Sequence, residues 1–209
     1  LQELGGSRMH YNYPRVGGVK RDIPVGFADR LIAKVKLFEH RIDEYEMMLD
    51  ESTIWLVRLQ GVGYAKAEDM VNAGVSGPNI RAAGVNYDVR WAHPYSVYDQ
   101  VDWEPAVEKP TSVKGADCYD RYRVRMEEMR QSCRMILDAI EKIPGGKNSN
   151  YANGDEMILA KAPTRAPEGA TGFSHYECTR GASQFYIQGG GDGRGKNPYR
   201  LSIRSPMFI

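Results

Sequence analysis

Residues 117–143 read DCYDRYRVRMEEMRQSCRMILDAIEKI, and this stretch decides the fold. Apolar side chains recur at Tyr122, Met126, Met129, Cys133, Ile136, Leu137 and Ile140. Steps of three and four draw one stripe down a long helix, the pattern of an element packed on its neighbours along one side. Asp117 and Asp120 suit the positive N-terminal end of that helix. Capping needs only one of them, so two Asp beside Arg121 leave room for a buried polar contact as well. Pro144-Gly145-Gly146 supplies the stop. Cys133 lies on the stripe and reads as a small buried apolar residue. Arg121, Arg123, Arg125, Glu127, Glu128 and Arg130 interleave opposite charges. They read first as a solvated face with local ion pairs of small worth, and second as a face for a charged partner.

Working outward, a second long helix follows Asp22-Ile23-Pro24, with Asp22 as the expected cap and Pro24 in the first turn. Its stripe runs Phe27, Leu31, Val35, Phe38, Ile42, Tyr45 and Leu49. Two such stripes predict long helices packed antiparallel in a bundle. Between them the chain is broken by glycine, with short helices expected over Thr53–Leu59 and Ala65–Ala73 and a further turn opening at Gly77-Pro78. From Asn86 to Glu104 runs an irregular stretch rich in aromatics: Tyr87, Trp91, Tyr95, Tyr98 and Trp103. It is expected to be exposed and to drive self-association. After Gly146 the composition turns polar, and residues 147–167 read as an exposed loop insert. The runs Gly172–Cys178, Ser183–Gln188 and Tyr199–Arg204 then predict a small antiparallel meander. The glycine-rich link from Gly189 to Gly195 joins two strands with no helix after it, which argues against a nucleotide loop. The expected class is mainly α (α+β), one domain over residues 1–209, with a small antiparallel sheet near the C-terminus.

Composition narrows the function. The 209 residues carry 28 Lys+Arg against 27 Asp+Glu, a net charge of +1, which argues against a dedicated nucleic-acid binder. No apolar run is long enough to cross a membrane, and the first residues carry no signal-peptide pattern. Cys118, Cys133 and Cys178 are far apart, so no cysteine-held metal is expected, and the sparse, odd count fits a reducing compartment. No triad, carboxylate pair or histidine pair stands out. His40 sits on the polar side of its helix, and His93 and His175 have no evident partner. His10 lies in a segment dense in Arg and Tyr that closes on a Gly-Gly turn, Arg8 to Val19. An imidazole there titrates near neutral pH and could couple protons to a redox or anionic group; a structural histidine is the other reading.

Segments along the whole chain resemble, in unbroken order, the D subunit of complex I, the quinone-proximal, hydrogenase-like component of NADH:quinone oxidoreductase and its archaeal F420H2-linked relatives. They are Arg8-Met9-His10-x-x-Tyr13-x-Arg15-x-Gly17-Gly18-Val19, Asp22-x-Pro24-x-Gly26, Asp43-Glu44-Tyr45, Gly61-Val62-Gly63 and Gly74-Val75-Ser76-Gly77-Pro78. Arg81-Ala82-Ala83-Gly84, Pro94-Tyr95-x-x-Tyr98-Asp99, Asp117-Cys118-Tyr119-Asp120-Arg121, Glu127-Glu128-Met129-Arg130-Gln131-Ser132 and Arg204-Ser205-Pro206-Met207-Phe208 continue the series. The resemblance covers the C-terminal half of the family's usual length.

The resemblance implies a hydrogenase-large-subunit-like helical bundle. It also implies work as part of a proton-translocating NAD(P)H (or F420H2):quinone oxidoreductase, the isolated chain being inactive. Quinone would be reduced where this subunit meets the one carrying the last iron–sulfur cluster, with subunits B, C and H as partners. No cofactor is expected on this chain itself. The location implied is peripheral, on the cytoplasmic face of the cell membrane. His10 is the position that lies near the partner's cluster in the family, with Arg8 beside it as the second candidate. Ser205-Pro206-Met207 stands where nickel–iron hydrogenases read Asp-Pro-Cys, which disfavours a working hydrogenase. The alternative is a non-catalytic assembly or interaction module derived from such a subunit.

Overall fold

The computed structural model describes residues 2–9, 12–15, 18–20, 23–143, 166–190 and 197–206. Two helices of 24 residues dominate it: α2 (Phe27–Asp50) and α7 (Cys118–Glu141). Preceding them are a short helix α1 (Gln2–Gly5) and a two-residue hairpin, β1 (Pro14–Arg15) with β2 (Gly18–Val19). Between the long helices lie α3 (Thr53–Leu59), α4 (Ala67–Asn72), α5 (Pro78–Ala82) and α6 (Val89–Ala92). The sheet comes last: β3 (Thr171–Cys178), β4 (Gly181–Gly189) and β5 (Pro198–Arg204), antiparallel in sequence order.

The two long helices are antiparallel, as expected. Tyr119 at the start of α7 meets Asp50 at the end of α2, Arg130 reaches Asp43 and Glu46, and Cys133 faces Glu39. Their seam is Val35 and Ile42 against Met126 and Cys133, flanked by Leu31, Tyr122, Met129 and Leu137. Burial and the nearby Glu39 push the Cys133 thiol up, as befits a packed rather than a reactive cysteine. The α2 stripe is narrower than its sequence suggests, because Phe38 and Tyr45 remain exposed.

The start of α2 differs from expectation. Its cap is Gly26, in the left-handed conformation, and Phe27 N–H bonds the Pro24 carbonyl, so Pro24 sits in a turn ahead of the helix. Asp22 lies outside the described residues, as do Pro144-Gly145-Gly146, residues 147–165 of the expected loop insert and Met207.

Helix α7 is buried on a second side. Asp120 and Val124 are fully buried, and Val124 joins Met70, Val75, Ile80, Ala82, Ala83 and Ala116 in a core of its own. The helix is therefore a wedge between α2 and the α4–α5 region. Its N-terminus carries a capping box: Asp117 Oδ1 accepts from Tyr119 and Asp120 N–H, and Asp120 Oδ2 accepts from Asp117 N–H. The remaining lone pairs are used as well. Asp117 Oδ2 accepts from Gly61 N–H (2.8 Å) and Asp120 Oδ1 from Thr111 N–H (3.2 Å). The two aspartates thus satisfy loop amides as well as the helix end.

The sheet docks by one end. Gly77, the cap of α5, crosses Gly181, the first residue of β4, so closely that a Cβ on Gly77 would lie 2.4 Å from the Gly181 Cα. Ser76 Oγ accepts from Ala182 N–H, and Arg204 donates to the carbonyls of Ala182 and Gly74. The aromatic stretch packs partly on itself, while Trp91 and Val97 stay half exposed, in line with expectation. Tyr98 and Trp103 stack edge-to-face, as do Trp91 and Trp103 and Tyr95 and Tyr98, and Trp103 is buried.

Candidate functional site

The largest fully buried side chain is an arginine, Arg81. A lone buried guanidinium is too costly to tolerate, so its partners define the site. It comes from α5, whose start is fixed by the Gly77–Gly181 crossing. Arg81 donates through Nε (3.1 Å) and Nη2 to Glu128 Oε1 of α7. Nη1 donates to Glu177 Oε1 of β3 at 3.0 Å and to the Tyr87 carbonyl at 3.0 Å, and lies 3.1 Å from Asp88 Oδ2. Three carboxylates from three parts of the chain therefore converge on one guanidinium.

A second cation closes the arrangement. Arg90 clasps Asp88 through Nε (3.0 Å) and Nη2 (2.7 Å) while its guanidinium lies over the Trp103 ring, 4.6 Å from the centroid. Burial alone would push Arg90 down, and its hydrogen bond to and attraction by Asp88 more than reverse this. Asp88 also caps α6 by accepting from Arg90 N–H. Glu177 is held at both ends: its Oε2 accepts from Val89 N–H (3.3 Å) and its own N–H donates to the Tyr95 hydroxyl (3.2 Å).

The cluster faces a cavity of about 800 Å³ between α7, the 90–106 segment and the β3–β4 turn. Its other lining includes Leu49, Met126, Met129 and Tyr122, whose hydroxyl is pushed up to about 12 by burial and by Asp50 and Glu46. Arg125 on the rim hydrogen-bonds Asn79 Oδ1 (3.1 Å), and desolvation, with Arg121, Arg180 and Arg81 nearby, draws it below the usual arginine range.

The charged face of α7 is thus not simply solvated. Glu128 belongs to the buried cluster, Arg130 ties α7 to Asp43 and Glu46 of α2, and Arg123 reaches Glu108. The sequence reading missed the Arg81 cluster. Its one available signal was a second period on α7, Asp120–Val124–Glu128 in steps of four, opposite the apolar stripe.

Arg8 is exposed in the bend after α1, and His10 lies outside the described residues. His93 and His175, without partners in the sequence reading, are brought together with ring centroids 6.2 Å apart. Burial first, then His93 and Arg204, push His175 below the usual histidine range. Among the described residues no group of three His, Cys, Asp or Glu is placed to hold a metal, and no helix is long and apolar enough to cross a membrane.

The family model described as "Respiratory-chain NADH dehydrogenase, 49 Kd subunit" matches residues 1–209. The chain is 34% identical to the second D subunit of the NADH-quinone oxidoreductase of Rhizobium etli, covering 100% of this chain and 54% of that protein. It is 36% identical to the H subunit of the NAD(P)H-quinone oxidoreductase of a Synechococcus strain, covering 95% and 52%. The fold matches a chain in the structure of the membrane-bound sulfane sulfur reductase, an archaeal respiratory membrane complex. That match has a TM-score of 0.71 and 30% identity, over 91% of this chain and 48% of that one. The chain spans about half the length of the curated relatives it matches.

Proposed function

Because the chain belongs to the family of the 49 kDa subunit of respiratory-chain NADH dehydrogenase, we propose that it works as the quinone-proximal part of a proton-translocating NAD(P)H:quinone oxidoreductase. The observation that supports this most is the match of the family model over residues 1–209, with relatives named for that activity at 34% and 36% identity. In this reading the chain packs against the subunit that carries the last iron–sulfur cluster, with subunits C and H as further neighbours. Electrons reach quinone at that junction. The chain holds no metal itself, and it lies on the cytoplasmic face of the membrane, attached through the complex.

His10 is assigned the proton that accompanies reduction of the partner's cluster, with Arg8 sharing its electrostatic surroundings. The reason is Coulombic: an added electron nearby favours imidazolium, more strongly where water is excluded. The cluster potential should then fall as pH rises through the histidine range. His10→Met should flatten that slope in a potentiometric titration of the assembled complex. An unchanged slope would remove His10 from the role.

One observation favours a second reading of the acceptor. The structural neighbour is named for sulfane sulfur reduction, so this body of helices also occurs in a respiratory complex of that name. Assay of the complex with a short-chain quinone and with polysulfide separates the two. Reduction of quinone alone supports the first reading, and reduction of polysulfide alone replaces it.

A further inference from the structure

The buried cluster holds charge unevenly. Asp88, Glu128 and Glu177 share the Arg81 guanidinium, and Asp88 is also clasped directly by Arg90. Among the described residues Glu177 has its share of Arg81, one long amide bond from Val89 and the more distant charge of Arg90. Its side chain is 2% exposed, as is that of Arg81, whereas the Glu128 side chain is 21% exposed and better hydrated. Glu177 also borders the cavity, which opens to solvent and gives protons a route.

We propose that Glu177 is a proton-binding site at the wall of this cavity, alternating between an ion pair with Arg81 and a neutral carboxylic acid. Among the described residues, charged and titratable groups pair with it or line the same cavity. From α5 comes Arg81; from the α6 region come Asp88, Arg90 and the Tyr95 and Tyr98 hydroxyls; from α7 come Glu128 and Arg125; from the hairpin comes Arg180. Burial and the Asp88 charge raise Glu177 above the ordinary glutamate value of 4.5, against the opposing pull of Arg81 and the Val89 amide. Proton uptake leaves Arg81 to Asp88 and Glu128, so no guanidinium is abandoned in the interior. It weakens the two acceptor bonds through which β3 is tied to α5 and α6. The proton comes from cavity water and returns to it, so no other reactant is needed.

The proposal stands apart from the electron-transfer reading, because it is read in the 209-residue chain without partners or substrate. Carbon-13-labelled glutamate followed by NMR should show one carboxyl titrating above 4.5. The Val89 amide should move with the same midpoint. Glu177→Gln should remove both transitions. Asp88→Asn, which keeps Glu177, should lower the midpoint. If every glutamate titrates at or below the ordinary value, if the raised transition survives in Glu177→Gln, or if Asp88→Asn leaves it unmoved, the site is refuted. The wild-type titration decides even if Glu177→Gln does not fold.

Discussion

At Arg81 one side chain holds three stretches of chain together, so its loss should be felt well beyond the volume removed. Arg81→Met strands Glu177 in the interior and leaves Asp88 with Arg90 as its cation. Breaking a buried pair from one side costs about 3–5 kcal/mol, and chemical denaturation should show a loss of that size. Arg81→Lys should not restore it, since an ammonium cannot meet Glu128 with two donors while reaching Glu177 and Tyr87. His175 acts with a definite sign. Its folded-state pKa lies below 6.5, so its contribution is complete above 6.5 and drains away as the pH falls through the folded value. His175→Gln should therefore flatten the acid side of the stability–pH curve. An unaltered curve would assign the acid sensitivity elsewhere. Neither role was legible in the sequence. Arg81, Asp88, Glu128 and Glu177 are separated by up to 96 positions, and single-chain patterns report neighbours three or four apart. Glu128 was hidden because it sits in a run of alternating charge that resembles a solvated surface.

The long helices were legible because each buries a face whose period matches its backbone, and the three strands because their β-prone runs are bounded by turn residues, although β3 and β5 bury no residue. The cap of α2 was not. A side-chain acceptor such as Asp22 is a strong signal, while Gly26 caps through a backbone conformation that leaves no mark beyond the glycine itself. Two glycines that differ only in their surroundings should respond differently to a methyl group. Gly74→Ala meets nothing within 4 Å and should cost about 1–2 kcal/mol, the strain of the left-handed conformation. Gly77→Ala carries similar strain and drives a methyl into the Gly181 backbone, adding roughly 1–3 kcal/mol of overpacking. Thermal melts of the two variants should rank them in that order. Asp117→Ala removes a cap and also orphans the Gly61 amide, so its loss should sit at the upper end of the ~0.5–2 kcal/mol range for caps.

Among the described residues the exposed apolar surface is spread over the aromatic run at Trp91 and Val97, over α2 at Leu37, Met47 and Met48, over α3 at Ile54 and Val57, and over the sheet. The sheet contributes one continuous face of it, where Ile187 pairs with Leu201 and Phe185 with Ile203, and Ile187, Leu201 and Ile203 are each about half exposed. Such a face seeks cover. Leu201→Glu combined with Ile203→Lys should reduce concentration-dependent self-association in sedimentation experiments, whereas Trp91→Ser should change it less. The same sheet is fastened unevenly. The bonds to Ser76, Gly74, Arg81 and Tyr95 all gather at the end that holds Glu177, Ala182 and Arg204, and the far strand ends carry exposed Phe173 and Tyr199. In mechanical terms it is a cantilever clamped at its root. A load at the tip is carried as a bending moment to the Gly77–Gly181 fulcrum, where two bare backbones in contact leave little compliance. Amide exchange should accordingly slow steadily along β4 from Gln188 to Ala182, and a root-side substitution such as Gly77→Ala should erase that gradient while leaving the seam between the long helices protected.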